Sequence, residues 1–145
     1  MSNSALTCDN FKKRLVDLCL RSGLSEFPTK RRDQWILLKS IAISFAAGRA
    51  YAETEVNGLI KQWLLGMRDY FPGWDHVTLR RRLVDEGFLG RQQDGACYRL
   101  HPDGPAGIVF ESAIDDLDIV TVLEEGQKLI AQKKAEYLQS QEARD

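Results

Sequence analysis

Clustered cations carry the chemistry that stands out in this sequence. Arg80, Arg81 and Arg82 run consecutively through HVTLRRRLVDEGFLGR, residues 76–91, while Lys30, Arg31 and Arg32 open another apolar stretch and Arg91 and Arg99 flank an Asp-Gly turn. Grouped guanidinium and ammonium side chains suit phosphate oxygens and, when presented from a helix, the edges of bases. Proton-transfer chemistry has a weaker basis. Asp75 and His76 are neighbours, but adjacent helical residues diverge by about 100°, so His76 reads as a surface residue beside a helix start. Cys97 has no histidine at a spacing that predicts activation. Cys8, Cys19 and Cys97 form no CxxC pair, and only His76 and His101 could join them, so neither a metal site nor a catalytic residue is expected. Gly104 and Gly107 lack the Lys-Ser/Thr of a phosphate loop, and no cofactor is expected.

These cations must be positioned by helices and a hairpin. DNFKKRLVDLCLRSG reads as an amphipathic helix, with Asp9 placed to cap it, Phe11, Leu15, Leu18 and Cys19 on one stripe and Gly23 as its stop. Pro28 interrupts the chain. In KRRDQWILLKSIAISFAAG, Trp35, Ile36, Leu38, Ile41, Ala42 and Phe45 cover more than half of a helical surface, which predicts a central helix ending near Gly48. Either Lys30, Arg31 and Arg32 precede this helix, or they sit at its positive end and an anion compensates them: Asp33, Glu26 or an external phosphate.

A short extended link around Tyr51 leads to a helix beginning near Glu53, with Val56, Leu59, Ile60, Trp63 and Leu64 on its apolar face. After a loop broken by Gly66, Pro72 and Gly73, the arginine-rich helix follows. Helical geometry puts Val77, Leu79, Leu83 and Val84 on one side and Thr78, Arg81, Arg82, Asp85 and Glu86 on the other. Arg80 falls among the leucines, where an unpaired charge would cost several kcal/mol. It is therefore expected to be largely buried in a structural ion pair, with Glu55 or Asp33 as partner and Asn57 in the same network. Gly87 stops this helix, and FLGRQQDGACYRLHP reads as a hairpin turning at Asp94-Gly95. The remainder predicts a long helix capped by Asp115 or Asp116, carrying an imperfect stripe of Ile119, Val120, Leu123, Leu129, Ile130, Tyr137 and Leu138 and weakened by Gly126.

The fold class expected is mainly α with a small β-hairpin: a winged helix-turn-helix-like core flanked by an N-terminal helix and a long C-terminal helix. The expected organisation is an amphipathic helix over 1–27, a winged-helix-like domain over 28–104 and an acidic helical arm over 105–145. Charge follows this division. Residues 1–29 carry 4 basic and 3 acidic side chains, residues 30–101 carry 12 and 8, and residues 102–145 carry 4 and 10, giving +1, +4 and −6. The middle is mildly basic, which fits a nucleic-acid surface without being a footprint by itself. No apolar run reaches the roughly 18 residues of a membrane span, since Lys39 and Ser40 interrupt the longest candidate. Without a leader-like start, a cytoplasmic location is expected.

KRRDQWILLKSIAISF, YAETEVNGLIKQWL, DHVTLRRRLVDEGFLGR and DGACYRL, in that order, resemble the bacterial family DUF2087. The resemblance covers about residues 28–100, half of the chain. It implies a winged-helix-like fold with a link to transcription, because the domain also occurs fused to repressor-like DNA-binding domains, and it implies no catalytic residue. The sequence departs from the pattern at Ala52, where a serine or threonine would complete a capping box with Glu55.

Two functions are compatible with this reading. In the first, double-stranded DNA is the partner: Thr78, Arg81 and Arg82 face the major groove, Arg91 and Arg99 hold phosphates from the wing, and Lys30, Arg31 and Arg32 hold phosphates at a helix start. In the second, the protein is an interaction module whose C-terminal arm docks a second copy, forming a homodimer, or another protein.

Overall fold

The computed structural model describes residues 5–22, 27–67, 70, 73–92 and 97–143. Its elements, in chain order, are α1 (Cys8–Val16), continued by a π-helical stretch over Asp17–Ser22, α2 (Arg31–Ala42), β1 (Tyr51–Ala52), α3 (Glu53–Met67), α4 (His76–Asp85), β2 (Leu89–Arg91), β3 (Cys97–Leu100), a 3-10 turn over Ser112–Asp116, and α5 (Ile119–Glu142). The fold is mainly α with one small antiparallel sheet of order β1-β3-β2. The hairpin is where the sequence places it, with Leu89 opposite Leu100 and Arg91 opposite Tyr98. The turn at Asp94-Gly95 lies outside the described residues.

The extended link around Tyr51 is itself a strand. Tyr51 pairs with Tyr98 and Ala52 with Cys97, so β1 ties the segment before α3 to the hairpin. Tyr51 is buried, packs edge-on against Phe45 at 5.0 Å and accepts the Ala46 N–H at 2.7 Å. This explains why α2 stops at Ala42 rather than near Gly48: the chain must turn there to deliver Phe45 to Tyr51, and Phe45 is buried from the turn, not from the helix.

Two expected caps are replaced. The cap of α1 is Thr7, which accepts the Asn10 N–H at 3.1 Å, and Asp9 lies in the first turn instead. Asp118, not Asp115 or Asp116, caps α5 by accepting the Val120 and Thr121 N–H groups, because Asp115 and Asp116 belong to the preceding 3-10 turn. Both caps satisfy donors that a helix start leaves unpaired.

One apolar cluster runs from Leu6 to Leu123 and includes Phe11, Leu15, Ile36, Leu37, Ile41, Ile60, Leu79, Leu83, Tyr98 and Ile114. The two flanks of the chain meet in it. Leu6 bridges to Phe110, with its N–H donating to the Val109 carbonyl at 2.7 Å. Further along, α5 crosses α1 so closely that a Cβ on Gly126 would lie 2.7 Å from Val16 Cγ2. Asp33 and Ser40 are the buried polar side chains among the described residues; Ser40 donates to the Leu37 carbonyl and accepts Trp63 Nε1–H at 3.0 Å. Among the described residues, no helix is long and apolar enough to cross a membrane.

Candidate functional site

The site is built around α4, and its start is fixed by Asp75. One carboxylate oxygen accepts the Thr78 N–H at 2.8 Å and the other accepts the Thr78 hydroxyl at 2.9 Å. These bonds hold the Asp75 carboxyl below the usual carboxylate range, the backbone N–H contributing most. Asp75 is thus a helix cap, and Thr78 is exposed with its hydroxyl proton committed to that cap. At the other end, Gly87 takes a left-handed φ of 85°, ending the helix, and a Cβ there would approach Pro105 Cα to 3.4 Å.

The three consecutive arginines have three environments. Arg80 points inward, with its side chain 16% exposed; it pairs with Glu53 at 3.1 Å and donates to Asn57 Oδ1. Neither Glu55 nor Asp33 is its partner. Glu53 and Asn57 are four residues apart and share the face of α3 turned to α4, whereas Glu55, two residues along, points away. Glu55 instead pairs with Arg49 at 2.9 Å and accepts the Ala52 N–H at 3.1 Å, which is the acidic half of a capping box. Arg82 lies over the Phe27 ring at 4.0 Å, and Phe27 in turn packs against Trp74 at 5.2 Å. Arg81 is exposed.

The start of α2 meets the end of α4. Arg31 pairs with Glu86 at 3.3 Å and lies over Trp35 at 5.1 Å, while the Trp35 indole donates to the same Glu86 oxygen at 2.8 Å. Lys30 and Arg32 flank this contact, exposed. Lys30, Arg32 and Arg81 make no ion pair among the described residues. The anion expected at the α2 start is Asp33, buried in the first turn and held bidentately by Arg14 at 2.8 and 2.9 Å. Those bonds depress the Asp33 carboxyl, with Lys30 and Arg32 adding smaller favourable fields, so it stays ionised beneath the cations. Glu26 lies outside the described residues.

On the hairpin, Arg91 and Arg99 are both exposed. Arg91 lies over Tyr98 at 6.0 Å, and Arg99 donates to the Gly48 carbonyl at 2.9 Å. The eight candidate nucleic-acid contacts therefore fall into three groups: the α4 surface (Thr78, Arg81, Arg82), the α2 start (Lys30, Arg31, Arg32), which the Arg31–Glu86 pair joins to the last turn of α4, and the hairpin (Arg91, Arg99). Sequence reasoning missed Phe27 beside Arg82 and Trp35 and Glu86 beside Arg31; it placed Glu86 one turn from Arg82 instead. An aromatic three or four residues from a basic run is a usable signal for Trp35 beside Arg31; nothing local links Phe27 to Arg82, fifty-five positions away.

Among the described residues, no group of three His, Cys, Asp or Glu side chains could hold a metal. Burial pushes the Cys19 thiol up to about 12, away from reactivity. A bacterial family described as an uncharacterized protein conserved in bacteria matches over residues 23–100. No curated protein matches the chain, and no solved structure does.

Proposed function

The chain belongs to the bacterial family DUF2087, and from that premise we propose that it is a winged-helix protein that binds double-stranded DNA in transcriptional control. The carrying observation is topological. From α2 onward the elements run helix, strand, helix, helix, strand, strand, with sheet order β1-β3-β2. In that arrangement the third helix, α4, enters a major groove and the β2–β3 wing lies along the neighbouring backbone. Arg81 is the α4 cation free to read a base edge or a phosphate. Lys30, Arg32, Arg91 and Arg99 supply positioning contacts to phosphates. Arg82 and Arg31, stacked on Phe27 and Trp35, hold their planes fixed and keep outer N–H groups available.

Salt dependence tests this reading. A protein neutralising about four phosphates loses on the order of a hundredfold in duplex affinity between roughly 50 and 200 mM salt. Fluorescence anisotropy with a labelled duplex is expected to show such a fall. Arg81→Glu is expected to weaken binding at both salt concentrations without changing the fold, since Arg81 is exposed. Binding that is undetectable at low salt, or indifferent to salt, overturns the reading.

A second reading, favoured by a separate observation, concerns assembly. The distal half of α5 leaves the body of the protein and exposes Leu129, Tyr137 and Leu138. This supports a homodimer through the arm, which is compatible with DNA binding because dimers present two recognition helices to two half-sites.

A further inference from the structure

One carboxylate oxygen joins three elements. Glu53 Oε1 receives the Arg80 guanidinium of α4 at 3.1 Å and the Tyr98 hydroxyl of β3 at 3.4 Å, while Glu53 itself opens α3. We propose that Glu53 is a positioning residue for DNA recognition: it sets the angle between α4 and the β2–β3 hairpin, so that helix and wing meet one duplex together. The role in recognition rests on the DNA reading; the link between the elements does not.

The sheet fixes Glu53 first. Glu53 follows Ala52 directly, and β1 is paired to β3 through Tyr51 with Tyr98 and Ala52 with Cys97, so the first residue of α3 is carried by the strand pairing. Tyr98 stands on the central strand, 2% exposed, with Tyr51 opposite it on one side and Arg91 on the other. Its hydroxyl reaches Glu53 at the long end of hydrogen-bonding distance, which makes this the weaker of the two links.

Arg80 then fastens α4 to the same residue. Its side chain is 16% exposed, and two different nitrogens of the guanidinium go to Glu53 and Asn57, both on α3. A planar fork held at two points does not swivel about either one. The chain itself joins α4 to the hairpin at Gly87, seven residues and about 10 Å beyond Arg80. A helix attached at that end alone could swing about Gly87, whose φ of 85° marks the bend. The attachment at Arg80 removes that freedom. Glu53 thereby acts on both surfaces assigned to DNA without touching it: Arg81 follows Arg80 on α4, and Arg91 lies over the Tyr98 ring at 6.0 Å.

Two variants separate the links. Glu53→Gln keeps the shape but removes the charge that the half-buried Arg80 is paired to, and Tyr98→Phe removes a hydroxyl alone. Amide hydrogen exchange on the full chain without DNA reads local opening, with α1 as internal reference for any change in global stability. Glu53→Gln is expected to speed exchange roughly tenfold in both α4 and β3 relative to α1, and Tyr98→Phe roughly threefold in β3 alone. Exchange in Glu53→Gln that matches the wild type, or that changes in only one of the two elements, overturns the link.

Fluorescence anisotropy with a labelled duplex at low salt then reads the role in recognition. Glu53→Gln is expected to weaken binding roughly tenfold. Arg91→Gln supplies the readout that a loss of stability alone would not move: it should cost several-fold in the wild type and little in the Glu53→Gln background, where the wing is already displaced. Equal costs in the two backgrounds overturn the role in recognition. A wild type that binds no duplex removes the DNA reading, and the exchange pattern still decides whether Glu53 sets the angle.

Discussion

Asp33 shows how a single residue reconciles the fold with a cationic surface. It lies under Lys30 and Arg32, and Arg14 reaches it from α1 with two parallel hydrogen bonds at 2.8 and 2.9 Å. The pair joins α1 to α2, so its loss should register in global stability. Asp33→Asn keeps the shape but removes the charge, leaving Arg14 without an ionised partner; about 2 kcal/mol of unfolding free energy is expected to disappear at neutral pH. The sign of the pH dependence follows from the depressed carboxyl. A carboxylate whose folded pKa lies below its unfolded one stabilises the native state fully above the ordinary Asp range, near pH 4, and loses that contribution as pH falls through the folded value. Urea unfolding at pH 7 and at progressively more acid pH should therefore show the wild-type advantage over Asp33→Asn shrinking below about pH 4. An advantage that is constant with pH, or that grows in acid, refutes the assignment. Arg80 carries a related lesson. Its inward position was legible from the helical spacing of Leu79 and Leu83, but its acid was not: choosing Glu53 over Glu55 requires knowing which face of α3 turns toward α4.

At the scale of elements, the crossing of α1 and α5 depends on the absence of a side chain. Gly126 reads in the sequence as a weak point, because glycine costs about 1 kcal/mol in a helix relative to alanine. The structure reverses its meaning, since a Cβ there would lie 2.7 and 2.9 Å from the two methyl carbons of Val16. Valine is stiff about χ1, so relief requires the helices to part. Gly126→Ala is thus expected to lower stability by roughly 1 kcal/mol despite its better helix propensity. In a Val16→Ala background the same change should stabilise, and thermal melts of the four proteins of this double-mutant cycle measure the coupling. A Gly126→Ala protein more stable than wild type in both backgrounds excludes the tight crossing. Local signals located most elements: the start of α3 at Glu53, the stop at Gly87, and the strands flanking Asp94-Gly95 are all written in periodicity and turn residues. What local signals could not carry is pairing across distance. Nothing near Tyr51 announces Tyr98 as its strand partner, and the caps at Thr7 and Asp118 each compete with an equally good aspartate a few residues away.

At the scale of the molecule, the apolar side chains that α5 leaves exposed bear on assembly. The first turns of α5 bury Val122 and Leu123 against the body, whereas Leu129, Tyr137 and Leu138 are 52, 63 and 52% exposed. Residues 129 and 130 and residues 137 and 138 stand symmetrically about the step between Lys133 and Lys134. In an antiparallel pair of α5 helices, Leu129 therefore meets Leu138 of the second copy and Ile130 meets Tyr137, which is the self-complementarity a two-fold interface requires. Lys133 and Lys134 flank the axis, so like charge opposes the pairing and screening favours it. If the proposed DNA binding and the proposed pairing of the arms both hold, they would have opposite salt dependences, a separation that a single basic surface could not produce. Size-exclusion chromatography with light scattering is expected to report twice the mass of one chain, with the dimer fraction rising as salt is raised from roughly 50 to 300 mM over a Debye length falling from above 10 Å to below 8 Å. Replacing Leu129, Tyr137 and Leu138 together by glutamine should yield a monomer, and its unfolding midpoint at low protein concentration should be unchanged because none of the three is buried. A wild-type protein that stays monomeric throughout this range, or a triple variant that remains dimeric, excludes the arm as the assembly surface and leaves α5 as a helix that serves the core through its first turns alone.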